Sequence, residues 1–198
     1  IGAIENITKV EEQLDSKGFD DITLLFRKGQ SSWQKMICYA HNQMEEDAYL
    51  SLKKRIEFNK KRAEMLGDQN ISRGVKTDEL FQTAWVNILF GKYDMARTSL
   101  DQLKKIQEKR NDPTAMYGYH GLSGMAHLME GNYEEALDNF SNGDLNAIYF
   151  NYFKGLALKA AGKEEEAKKV FNDIATINFS NWNIAIVRRL ANKQIGKV

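Results

Sequence analysis

The sequence predicts an all-α fold, on three observations. Its 198 residues include a single proline, and a proline inside a helix costs about 3 kcal/mol, so the near absence of proline suits a chain built of helices. Glycines at Gly18, Gly67, Gly91, Gly131 and Gly162 stand where helical runs should end. Strand signals are poor: alternating Val/Ile/Thr runs are few, and no Asn-Gly or Asp-Gly turn is flanked by them.

Composition bounds the class of function. With 42% hydrophobic and 28% charged residues the chain has the makeup of a globular protein rather than a disordered one. At this length it can bury roughly 70% of the surface its unfolded form exposes. Lys plus Arg (28) and Asp plus Glu (27) leave a net charge of +1, which gives no global attraction to nucleic acid or an anionic membrane. One cysteine, Cys38, excludes an internal disulfide framework and a Cys-rich zinc site. No apolar run approaches the ~20 residues of a spanning helix. The chain starts at Ile1 rather than Met, the mark of a trimmed or processed product, so a missing signal peptide does not place it in the cytoplasm, and the compartment stays open.

Taken in order, Ile4 to Ser16 and Asp20 to Lys28 read as short helices around Gly18. Ser31 and Ser32 then cap a run that reaches Leu66 without Gly or Pro. At 1.5 Å per residue that run would span roughly 50 Å, long for a globular helix, so a break into two is expected. Residues 1–76 form an irregular helical part, and residues 77–198 carry the regular pattern.

That pattern is an internal repeat. Three segments align without gaps on Gly91, Gly131 and Gly162. Seven residues before each glycine stands a small residue (Ala84, Gly124, Gly155), and five after it an alanine (Ala96, Ala136, Ala167). Nine after it comes a large apolar residue: Leu100, Phe140 or Phe171. Two antiparallel helices approach closely only where side chains are small, and a bulky residue one turn further fills the space beyond. These segments resemble the tetratricopeptide repeat, whose two-helix unit has a small residue in its first helix, a Gly-x-Tyr turn, then Ala and Phe in its second. The likeness covers residues 77–177. Anchor spacings of 40 and 31 residues, and Glu164 where the other turns have Tyr93 and Tyr133, imply uneven loops between units. The implied architecture is an all-α solenoid of three tetratricopeptide-like hairpins, with irregular N-terminal helices and a C-terminal capping helix.

Capping signals fit this division. Asp112 before Pro113 reads as the start of the second unit's first helix, and Asn132 with Glu135 as a capping box for its second. Glu164, Glu165 and Glu166 place negative charge on the first turn of the third unit's second helix. From Trp182 to Ile195 an end helix is expected, with Trp182, Ala185, Ile186 and Leu190 on its apolar face.

Several constellations hint at chemistry. His120-Gly121-Leu122-Ser123-Gly124 resembles a nucleophile motif, but its second glycine comes one residue early and the context is mid-helix. His120 and His127 are about 10 Å apart along a helix and read as partly buried structural residues. Cys38, His41 and Glu45 share one predicted helix face without an evident fourth metal ligand. Lys53-Lys54-Arg55 and Lys60-Lys61-Arg62 make a basic stripe, read as a solvated, ion-paired face rather than a nucleic-acid track. No catalytic residue, metal site or cofactor is expected.

In tetratricopeptide repeats a concave groove is lined by positions ten, six, three and two residues before the turn glycine. The resemblance carries these onto Phe81, Trp85, Ile88 and Leu89, then Gly121, Met125, Leu128 and Met129, then Tyr152, Leu156, Lys159 and Ala160. Phe81, Trp85, Leu122 and Phe153 stand where members gripping a peptide carboxylate have polar groups, so such a clamp is not implied. The expected site is an apolar groove of Phe81, Trp85, Ile88, Leu89, Met125, Met129 and Tyr152, with Trp85 as its hot spot. An alternative is that the chain's own N-terminal helices fill it. The expected role is a non-enzymatic protein–protein interaction scaffold binding an apolar peptide or helix, against the alternative of a helical accessory or oligomerisation module of a larger polypeptide whose catalytic domain lies elsewhere. The partner's identity and homo-oligomer formation stay open.

Overall fold

In the structure, a computed structural model describing residues 2–178 and 181–197, the protein is all-helical, with ten α-helices and no strand among those residues. They are α1 (Gly2–Glu12), α2 (Asp21–His41), α3 (Glu45–Leu66), α4 (Gln69–Leu89), α5 (Tyr93–Gln107), α6 (Tyr117–Met129), α7 (Tyr133–Asn142), α8 (Ile148–Ala160), α9 (Glu164–Thr176) and α10 (Trp182–Gln194). The chain divides into two compact units, residues 1–99 and 100–198, with the division inside α5. The boundary expected at residue 76 lies within α4.

Unit 1 is organised by α2, α3 and α4, with α1 laid on α2. Asp20 caps α2, its carboxylate accepting from Thr23 N–H at 2.9 Å and Thr23 hydroxyl at 2.8 Å, which holds the carboxyl below its usual range. The helix then runs through Gly29, Ser31 and Ser32 rather than ending at Lys28, and all three are buried. A Cβ on Gly29 would stand 3.2 Å from Asn59 Oδ1 and 3.3 Å from Arg55 Nη1, so the missing side chain is what lets α3 approach. The expected break of the long run comes at Asn42-Gln43-Met44, where Gln43 has φ 59°. The pairs Arg55–Asp78 (3.2 Å), Lys60–Glu79 (3.1 Å) and Tyr49–Asn87 (2.6 Å) then tie α3 to an antiparallel α4 along its length.

Unit 2 contains two clear hairpins, α6 with α7 and α8 with α9, and α10 packs on both α8 and α9. Each hairpin closes where small meets bulky: a Cβ on Gly124 would lie 2.8 Å from the Phe140 ring, and one on Gly155 2.6 Å from the Phe171 ring. Ala96, Ala136 and Ala167 are all buried, as are Leu100, Phe140 and Phe171.

Some local expectations shift. Asp112 accepts from Thr114 N–H at 2.9 Å, but this closes a turn, and α6 begins only at Tyr117. Asn132 occupies the N-cap of α7 without a side-chain capping bond, so the expected capping box does not form. On α10 the buried residues are Ile184, Val187 and Ala191, while Ala185 is exposed; the buried face is rotated from the expected one. Asn181 opens this helix by accepting from Ile184 N–H at 3.0 Å.

Candidate functional site

The turns position everything that follows. At Gly91, Gly131 and Gly162 the backbone takes φ of 70°, 85° and 77°, a left-handed conformation that glycine enters without steric cost. The residue after each glycine donates its N–H five residues back: Lys92 to Asn87 O (2.8 Å), Asn132 to His127 O (2.9 Å) and Lys163 to Leu158 O (2.9 Å). The same residue's carbonyl then accepts from Ala96, Ala136 or Ala167, each at 3.0 Å, and so starts the next helix. Gly196 repeats this closure, with φ 71° and Lys197 N–H donating to Asn192 O at 2.9 Å. The sequence reading missed that fourth turn, although Gly196 stands 34 residues after Gly162.

In unit 2, α6, α8 and α10 lie side by side and parallel. A Cβ on Gly121 of α6 would be 2.5 Å from the Phe150 ring of α8. Tyr149 of α8 has its ring centroid 6.0 Å from that of Trp182 of α10, and further along Lys159 Nζ donates to Gln194 Oε1 at 3.1 Å. Equivalent positions on these helices therefore share a face.

The expected groove residues divide by burial. In unit 1, Trp85 is 3% and Ile88 1% exposed; they belong to the core and offer a partner no surface, whereas Phe81 and Leu89 are half-buried. Phe81 leans on Trp85 with ring centroids 6.3 Å apart. In unit 2, Met125 and Tyr152 are buried and Met129 is 41% exposed. Tyr152 packs against Phe171 at 5.8 Å, and burial pushes its phenol up from the usual value. Leu128 and Leu156 are half-buried beside Met129 in the repeat register, and Lys159 and Ala160 are exposed. On α10 the Gly196 turn puts Ile186 and Leu190, both half-buried, at the corresponding positions, with the exposed Lys193 next to them. What remains accessible is an apolar strip bordered by two lysines.

Other constellations resolve locally. Ser123 and Gly124 sit buried in mid-α6, with no strand-to-helix elbow. His120 Nδ1 lies 3.2 Å from Asn139 Oδ1 on α7, which is the expected structural placement. Cys38 and His41 end α2, while Glu45 begins α3 across the turn, so the three do not share one helix. Burial raises the Cys38 thiol and lowers the His41 imidazole to about 4. Among the described residues no group of three His, Cys, Asp or Glu side chains is placed to hold a metal ion. In the basic stripe Arg55 and Lys60 pair with Asp78 and Glu79, and Arg62 stacks 5.2 Å from the Phe26 ring centroid. No described helix is long and apolar enough to cross a membrane. No protein-family model, curated protein or solved structure matches the chain.

Proposed function

We propose that the chain is a non-enzymatic protein–protein interaction scaffold of tetratricopeptide-like hairpins, and that it takes an apolar peptide or amphipathic helix on the α6/α8/α10 face of unit 2. The observation that carries this reading is the turn closure repeated bond for bond at Gly91, Gly131 and Gly162, with a buried alanine five residues after each. A repeated closure sets these helices at a regular register, in which Leu156 and Leu190 each stand six residues before a turn glycine and Met129 lies one helical turn further along α6 on the same face. Side chains at such spacing suit a ligand with apolar anchors at helical or extended intervals. Lys159 and Lys193, exposed at the C-terminal ends of α8 and α10, favour a ligand with a carboxylate at that end.

The test is selection of peptides from a displayed random library against the full chain, repeated with Leu156→Glu. The reading expects apolar-anchored peptides that lose about tenfold or more in affinity with Leu156→Glu, a loss of roughly 1.4 kcal/mol, while the melting temperature holds. Peptides that bind both proteins equally, or no selected peptides, would remove it.

A further inference from the structure

We propose that α1 is a displaceable strap whose Glu11 carboxylate plugs a basic, hydroxyl-lined crevice between α2 and α3, a crevice that an acidic amphipathic helix of a partner takes over when α1 lets go. This surface belongs to unit 1 and stands independently of the unit 2 face.

No residue of α1 is buried, in contrast to α2, α3 and α4. Its half-buried residues are Ile4, Ile7, Thr8 and Glu11, a single stripe at i, i+3, i+4 and i+7 laid on α2. An 11-residue helix is marginal by itself, so it persists only through what it docks on. Two ion pairs fasten it beside this stripe. Glu11 pairs with Lys35, their side chains 23% and 14% exposed, and just beyond the helix Asp15 pairs with Lys28 at 2.6 Å.

Under Glu11 lies a crevice of about 70 Å³. Its α2 wall carries Ser32, Lys35 and Tyr39, and its α3 wall Asp47, Ser51 and Lys54. Ser32 is 1% exposed and its Oγ has no hydrogen-bond partner, so the crevice holds an unused buried hydroxyl. With Glu11 withdrawn, two ammonium groups and three hydroxyls face one carboxylate, Asp47. That set favours an incoming carboxylate over a cation or a purely apolar group. Leu50, 53% exposed on the crevice rim, gives such a helix an apolar contact beside its acid. The occupant seen is itself the template: GAIENITKVEE carries three glutamates against one lysine on an amphipathic helix. Because α1 is tethered it competes at high effective concentration, and a partner must outbid it.

Two measurements on the full chain test this. In native-state hydrogen exchange, α1 amides should exchange about 100-fold or more faster than those of central α2 and α3, and faster again in about 0.5 M NaCl, where ionic fastening is screened. A fluorescein-labelled peptide of residues 2–12, the probe, should bind Glu11→Arg about tenfold or more tighter than wild type, because the variant's own strap no longer competes. Adding Lys35→Glu should abolish that binding. Protection of α1 equal to that of α2, equal probe binding by all three proteins, or no binding by Glu11→Arg overturns the proposal.

Discussion

Replacing Gly155 with alanine separates the close-packed hairpin from an ordinary exposed helix by the sign of its effect. In a helix without tertiary constraint, Gly→Ala stabilises by about 1 kcal/mol, because alanine loses less backbone freedom. At Gly155 the new Cβ would stand 2.6 Å from Phe171 Cε1 and 2.9 Å from its Cζ. Carbon atoms rest about 3.5–4.0 Å apart, so the overlap is close to an ångström. Phe171 is 2% exposed and wedged against Tyr152 at 5.8 Å, which leaves its ring little room to retreat. Overpacking of this kind costs about 1–3 kcal/mol, which exceeds or cancels the propensity gain and leaves a net loss of about 1 kcal/mol. For a chain of this length that lowers the melting temperature by about 2–4 °C. The assay is urea denaturation followed by far-ultraviolet circular dichroism, run on wild type, Gly155→Ala, Phe171→Leu and the double variant. With the ring trimmed, Gly155→Ala should become neutral or stabilising, giving a coupling of about 1 kcal/mol. A Gly155→Ala protein more stable than wild type, or the same effect in both backgrounds, would refute the packing argument.

Three further outcomes follow from the same structure. Trp85→Ala should cost about 3–5 kcal/mol of stability, as truncation of a buried tryptophan does; an unchanged urea midpoint would mean that the ring is not core. Gln43→Gly, which relieves a left-handed non-glycine residue at the α2–α3 turn, should stabilise by up to about 1 kcal/mol, read as a rise in melting temperature. His41 is held neutral by burial, with its pKa lowered to about 4 from 6.5, so the unfolded chain takes up a proton that the folded chain refuses. Its contribution is whole above pH 6.5 and falls as pH drops toward 4, by about 3 kcal/mol in all. His41→Phe should flatten that slope in denaturation series across the window, and a parallel slope would refute the assignment.

The repeat register was legible because it is written in local sterics. A left-handed turn selects glycine, and a helix crossing selects small residues, whatever surrounds them; Gly91, Gly131 and Gly162 and the three buried alanines therefore stand where the spacing puts them. Features that depend on tertiary partners were not legible. The helix expected to end at Lys28 instead continues through Gly29, which serves as the gap through which Arg55 and Asn59 reach α2. The break that does occur, at Gln43, carries no glycine or proline to announce it. Whether Trp85 lines a groove or fills a core depends on what packs over it, and spacing alone does not carry that information. The rotated face of α10 has the same cause: its apolar residues surround more than one side, and contact with α8 and α9 chooses among them.

The repeated close-packed hairpin rests most directly on proton proximity in unit 2. In an aromatic-edited NOE spectrum of the protein in solution, the account predicts strong cross-peaks from Gly124 Hα to the Phe140 ring and from Gly155 Hα to the Phe171 ring, since each ring lies where a Cβ would be. Glycine Hα protons without a contact to either ring, in a protein that remains helical, would contradict it.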